Sequence, residues 1–69
     1  MKISARNVLK GRILKVTHGA VNSEVVLELA PGLQVVSIIT RQSAETLGLA
    51  EGGEAYAVVK ASNVMIAVD

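Results

Sequence analysis

Residues 21–29 read Val-Asn-Ser-Glu-Val-Val-Leu-Glu-Leu, and this stretch carries the clearest structural signal in the chain. Apolar or small residues recur at every second position, and mostly polar residues stand between them. A period of two is typical of a β-strand with one buried face and one wetter face. The stretch therefore predicts a strand that packs one face on a core.

Strands are also predicted on both sides of this stretch. Residues 8–16 mix apolar, β-branched and cationic side chains, and Gly11 within them suggests a bulge or a sharp bend. Pro31-Gly32 predicts a tight turn before a third strand at residues 33–40. Residues 35–39 are apolar on both faces, so we expect the core to cover one face and another subunit to cover the other.

The second half of the chain combines a short helix with two more strands. Thr40 or Ser43 can cap a helix start and Gly48 can follow its end, which predicts one or two helical turns. Residues 55–60 and 64–68 predict a fourth and a fifth strand, joined by a hairpin. The predicted fold is therefore all-β, a five-stranded OB-type barrel with a short helix between strands 3 and 4, built as one domain over residues 1–69.

Length and composition restrict how the fold is stabilised. A domain of 69 residues is marginal alone. The absence of cysteine excludes disulfides and thiolate metal sites, and a single histidine, His18, excludes a His-cluster metal site within one chain. Apolar residues make up 51% of the chain, yet Tyr56 is the one aromatic, so oligomerisation is the predicted source of extra stability. No apolar run is long enough to span a membrane and no secretory signal is visible, so the expected location is cytoplasmic.

Two polar clusters predict an anion site. Residues 4–7 read Ser-Ala-Arg-Asn and combine a hydroxyl, a permanent cation and an amide, which suits oxyanions. Residues 60–62 read Lys-Ala-Ser and follow an apolar strand, where the N–H groups of a turn can form an anion-binding concavity. In a closed barrel the two clusters can meet, so that two cations match one dianion in a pocket that holds Ser4, Arg6, Lys60 and Ser62.

These segments resemble the molbindin (Mop) domain family. The similarity covers the whole chain in order and includes the Ser-Ala-Arg-Asn opening with Leu9 and Gly11, and residues 37–40, 43–47 and 57–65. The resemblance implies a small OB-type barrel that assembles as a homohexamer, a trimer of dimers. It also implies binding of molybdate or tungstate at sites between subunits, for intracellular storage or homeostasis.

The resemblance further implies which residues hold the oxyanion. One subunit would supply four side chains and three backbone contacts, from Ser4, Arg6, Lys60 and Ser62 and from Ala5, Asn7 and Ala61 respectively. Thr40 and Ser43 would reach in from a neighbouring subunit. A second type of site would lie near a threefold axis, with Gly19, Ala20, Val21 and Asn22 as candidates.

Two other classes of function compete with this reading. OB barrels often bind nucleic acid, but those surfaces stack bases on aromatic side chains, and this chain has one tyrosine, a net charge of +1 and no basic stripe. A purely structural oligomer is the other alternative. No nucleophile–base pair and no direct metal ligands are visible, so we expect neither an enzyme nor a cofactor beyond the oxyanion ligand.

Overall fold

Four antiparallel strands form one sheet in the computed structural model, which describes all 69 residues. The strands are β1 (Asn7–His18), β2 (Asn22–Ala30), β3 (Leu33–Thr40) and β4 (Glu54–Val59), and their order in the sheet is β3-β2-β1-β4. A helix, α1 (Arg41–Thr46), lies between β3 and β4 along the chain. The all-β prediction and the position of the helix are confirmed.

β1 holds the sheet together because its two halves pair with different strands. Residues 7–12 pair with β4, and residues 12–18 pair with β2. The register shifts between Ile13 and Lys15, which leaves Leu14 as a bulge residue. Ile13 and Val16 therefore both face the core although they are three residues apart. A bulge increases bending and twist, and here the sheet curls into a half-barrel.

Gly11 lies in the regular β1–β4 ladder, so the bulge predicted there is displaced to Leu14. The glycine has a different role. A Cβ at this position would lie 2.9 Å from the carbonyl oxygen of Glu28 and 3.0 Å from Cδ2 of Leu29. Glycine thus permits the close approach of β1 and β2 where the sheet curls.

The core of the single chain is small. Six residues are buried, namely Ile13, Ser23, Val25, Leu27, Ala44 and Ala57. Ser23 is the one polar member, and its Oγ lies 2.7 Å from Nδ1 of His18, which satisfies the buried hydroxyl. On the opposite face of β3, Val36 and Ile38 remain 59% and 61% exposed. No part of the chain covers this face, which the sequence predicts to be covered by another subunit.

Thr40 is the N-cap of helix α1, and it is one of the two capping residues predicted from the sequence. Oγ1 of Thr40 accepts a hydrogen bond from the Ser43 N–H at 3.0 Å and donates one to Ser43 Oγ at 2.8 Å. Gly48 follows the helix with a φ of +65°, a conformation that glycine adopts at little cost. None of the helices is long and apolar enough to cross a membrane.

The predicted fifth strand at residues 64–68 is not formed, so the structure has four strands rather than five. The predicted hairpin before it is a 3₁₀ turn at Ala61–Asn63, in which the Asn63 N–H donates to the Lys60 carbonyl at 2.8 Å. Met65, Ile66 and Val68 are 85–93% exposed. A strand forms only where its backbone meets a partner ladder, and this segment meets none within the chain.

We predict that Gly11→Ala lowers the free energy of unfolding by about 1–3 kcal/mol, because the new methyl group meets a backbone oxygen that cannot move away. Urea denaturation followed by circular dichroism measures this. Lys15→Ala, at an exposed position of the same strand, is the control and should stay within about 0.5 kcal/mol of wild type. Equal unfolding midpoints for the two variants would contradict the close-approach role.

Candidate anion-binding site

A depression of about 640 Å³ lies where the N-terminal lead-in meets the end of β4. The two polar clusters predicted from the sequence come together here. Six of the predicted site residues line the depression, together with Ile3, Val58 and Asn63; the six are Ser4, Ala5, Arg6, Lys60, Ala61 and Ser62. Whether they hold an oxyanion stays a prediction at this point.

Strand register explains why Arg6 and Lys60 are neighbours. Asn7 and Val59 form the last pair of the β1–β4 ladder. Arg6 precedes this pair on one strand and Lys60 follows it on the other, so both leave the sheet at the same place. Side chains alternate along a strand, which puts Val58 on the same face as Lys60 and makes it part of the lining. The 3₁₀ turn then brings Ser62 to the same depression.

Neither cation of the depression has a carboxylate partner. The three ion pairs of the chain are Lys10–Glu54, Arg12–Glu28 and Arg41–Glu45. The lining contains no aspartate or glutamate. Two cations that share one depression repel each other, and an anion between them would reverse that energy. The electrostatics therefore favour a bound anion with two negative charges.

Lys10 is the next cation along β1, and its charge is already compensated. Its Nζ lies 2.7 Å from Oε2 of Glu54. The hydrogen bond and the negative charge of Glu54 raise the pKa of Lys10. Both side chains are largely exposed, so this pair contributes little to stability. Glu54 is the one acidic residue of β4, and its pairing with Lys10 leaves Arg6 and Lys60 without a carboxylate from this strand.

Asn7 does not line the depression, although it belongs to the predicted set. Its side-chain Nδ2 donates to the carbonyl oxygen of Val59 at 3.3 Å, across the last pair of the ladder. The residue is half-buried. Its predicted backbone contact with an oxyanion stays a prediction, while the side chain has a partner that the sequence did not indicate.

Thr40 and Ser43 lie at the opposite end of the sheet. Thr40 pairs with Asn22, beside the hairpin that joins β1 to β2, whereas the depression lies at the start of β1. Neither Thr40 nor Ser43 is among the residues that line the depression. A single chain therefore does not bring these two hydroxyls to the depression.

The predicted second-site residues, 19–22, lie beside Thr40. The backbone N–H of Arg41 donates to the Val21 carbonyl at 2.8 Å, and its Nη1 donates to the Gly19 carbonyl at 3.4 Å. The Gly19 N–H donates to the Asn22 carbonyl at 2.7 Å and closes the loop. The start of α1 and the hairpin thus form one connected end of the molecule.

Three lining residues were not predicted. Asn63 could have been found, because it follows Lys-Ala-Ser within the same short turn. Val58 could have been found by alternation from Lys60. Ile3 precedes the polar cluster, and no signal in its residue type marks it as part of a site.

Residues 3–66 match the family model described as the TOBE domain. The chain belongs to the TOBE domain family. Molybdenum-pterin-binding protein 2 of Clostridium pasteurianum is 53% identical to this TOBE domain over 66 residues, which cover 96% of the chain and 97% of that protein. This TOBE domain is therefore of the molbindin (Mop) type, as the sequence resemblance implied.

Solved structures share the fold. MopII from Clostridium pasteurianum matches this TOBE domain with a TM-score of 0.91 and 51% identity, covering 97% of the chain and 100% of MopII. The cytoplasmic molybdate-binding protein ModG, solved with molybdate bound, matches with a TM-score of 0.89 and 45% identity. That match covers 94% of this chain and 46% of ModG. The curled sheet with its short helix is thus the architecture of this family.

We predict that Lys60→Met and Lys10→Met have opposite effects on the anion-free protein at low ionic strength. Removing Lys60 relieves repulsion with Arg6 and should raise the melting temperature slightly, whereas removing Lys10 leaves Glu54 unpaired and should lower it. Both shifts should be below about 4 °C and should shrink in 1 M salt. Calorimetry at two salt concentrations measures them, and a destabilising Lys60→Met would contradict the uncompensated charge.

Proposed function

We propose that this TOBE domain binds molybdate or tungstate as a tetrahedral dianion. The observation that carries the proposal is the pair of cations, Arg6 and Lys60, that share one depression with two serines and no carboxylate. The names of the relatives support it, since one is called a molybdenum-pterin-binding protein and ModG was solved with molybdate. Charge-assisted hydrogen bonds from Arg6 and Lys60 would supply most of the binding energy.

The arrangement of donors is suited to binding and not to catalysis. The guanidinium of Arg6 and the ammonium of Lys60 bring charge, and the hydroxyls of Ser4 and Ser62 can donate to the remaining oxygens. Backbone N–H groups of Ala5 and Ala61 would complete the donors from this chain. We infer a protein that is not an enzyme, that needs no further cofactor and that stores or buffers the oxyanion. The description of ModG as cytoplasmic supports a cytoplasmic location.

The site would lie between subunits. The depression of about 640 Å³ is open to solvent, and a five-atom oxyanion fills only a small part of it. Thr40 and Ser43 do not line the depression of their own chain. We infer that these two hydroxyls come from a neighbouring subunit, whose hairpin end faces the depression. The loop at residues 19–22 would then also lie at a subunit contact, where the second type of site is proposed.

The fifth strand of the barrel would come from a neighbouring chain. β3 and β4 are the two edges of the sheet, and a mainly apolar groove of about 770 Å³ lies between them. Residues 64–68 are apolar, exposed and without a partner in their own chain. Pairing this segment with a neighbour's open edges would complete a five-stranded OB-type barrel and bury Ile66 and Val68. We propose that residues 1–69 form a single domain and that six copies assemble as a homohexamer, a trimer of dimers.

We predict that Arg6→Ala and Lys60→Ala each weaken molybdate binding by about 10- to 150-fold, the range expected when one charge-assisted hydrogen bond is lost. Isothermal titration calorimetry with molybdate and tungstate measures this. Lys10→Ala is the matched control, because Lys10 is engaged with Glu54 outside the depression, and it should bind like wild type. Unchanged affinity in both site variants would refute the proposed pocket.

We predict that the protein is an oligomer at micromolar concentration and that Ile66→Asp shifts it to smaller species, because a carboxylate cannot enter an apolar groove unpaired. Native mass spectrometry with molybdate, tungstate and sulfate reports subunit number, bound ions and selectivity together. Ala50→Asp, in an exposed loop, is the control. A monomeric wild type would contradict the shared site, and an oligomer that retains no oxyanion would favour a purely structural role.

A further inference from the structure

The hydrogen bond from Asn7 to Val59 lies between the two cations of the proposed site. Asn7 directly follows Arg6, and Val59 directly precedes Lys60. Nδ2 of Asn7 donates to the Val59 carbonyl oxygen at 3.3 Å, and both residues are half-buried. A single side-chain contact thus joins the two places where the cation-bearing segments leave the sheet.

The peptide group that accepts this bond also belongs to Lys60. The carbonyl of Val59 and the N–H of Lys60 form one planar unit, so holding the carbonyl oxygen also fixes the direction of the Lys60 N–H and the position of its Cα. The side chain of Lys60 makes no capping hydrogen bond to the turn that follows. On its C-terminal side the backbone of Lys60 is held by the Asn63 N–H, which donates to the Lys60 carbonyl at 2.8 Å, so the bond from Asn7 adds a restraint on the N-terminal side.

We propose that Asn7 is a positioning residue of the oxyanion site, whose side-chain amide fixes the Val59–Lys60 peptide and thereby the spacing between Arg6 and Lys60. This inference rests on the proposed function. The β1–β4 ladder has five further register pairs, Val8–Val58 to Arg12–Glu54, and the Lys10–Glu54 ion pair, so the sheet does not depend on one more bond at its end. The bond acts where a ladder frays most readily, which is also where the site begins.

The spacing between Arg6 and Lys60 would determine which dianion is preferred, whereas their charge would determine how tightly any dianion binds. Molybdate and sulfate are both tetrahedral dianions, and they differ in size. A pair of cations at a fixed spacing favours the ion whose oxygens reach both, whereas a loosened pair adapts to either ion. Loss of the Asn7 amide should therefore reduce the preference between the two ions, while loss of Arg6 removes charge and weakens both.

Asn7→Leu tests this, since it keeps a side chain of similar size and removes the donor. Calorimetric titrations of the oligomer with sodium molybdate and sodium sulfate should show molybdate binding about tenfold weaker, with sulfate changing less, so that the affinity ratio falls. Ala50→Leu, in the exposed loop before β4, is the control and should keep both affinities. Arg6→Ala should weaken both ions in similar proportion.

The outcomes separate this inference from the proposed function. If wild type binds neither ion, the proposed function fails and the inference fails with it. If wild type binds molybdate and Asn7→Leu keeps its affinity ratio, the inference alone is overturned. If Asn7→Leu does not fold, a measurement on the wild-type protein still tests the inference. A scalar coupling across the hydrogen bond, between Asn7 Nδ2 and the Val59 carbonyl carbon, should persist in the molybdate-bound protein, and its absence there overturns the proposal.

Discussion

One strand carries the hydrogen bonds of both halves of this sheet. β1 pairs with β4 along residues 7–12 and with β2 along residues 12–18, and β2 in turn positions β3. The bulge at Leu14 turns the second half away from the first and gives the sheet its curl. The anion-binding depression forms at the start of this strand, and the hairpin with the helix start forms at its end.

Few residues of the chain are buried in its own core. With six buried residues and an unpaired apolar segment at residues 64–68, the chain leaves two sheet edges and much aliphatic surface uncovered. Arg6, before β1, and Lys60, after β4, also have no carboxylate partner. Both features cost free energy in an isolated chain, and the subunit contacts and the bound oxyanion that we propose would compensate both. Folding, assembly and ligand binding are therefore coupled in the arrangement that we propose.

Local signals were sufficient for β2, for the turn at Pro31-Gly32 and for the helix capped by Thr40, because alternation, turn chemistry and hydroxyl caps act over a few residues. The meeting of Arg6 and Lys60 could also be predicted, since it follows from the order of strands. The absence of the predicted fifth strand could not be foreseen, because its residues have the pattern of a strand but the chain's own sheet provides no partner edge for them. The bond from Asn7 depends on side-chain direction at a ladder end, which residue type does not reveal.

The two parts of the proposed oxyanion site lie at opposite ends of the molecule, and this placement has a genetic consequence. In the shared site proposed above, a chain altered at Arg6 still lends a normal Thr40 and Ser43 to its neighbour, and a chain altered at Ser43 still offers a normal depression. Each variant alone has defective sites throughout. Co-expressed, the two form mixed assemblies in which some sites combine the intact end of one chain with the intact end of the other. Alleles damaged at opposite ends of the molecule should therefore complement each other, whereas alleles damaged at the same end should not.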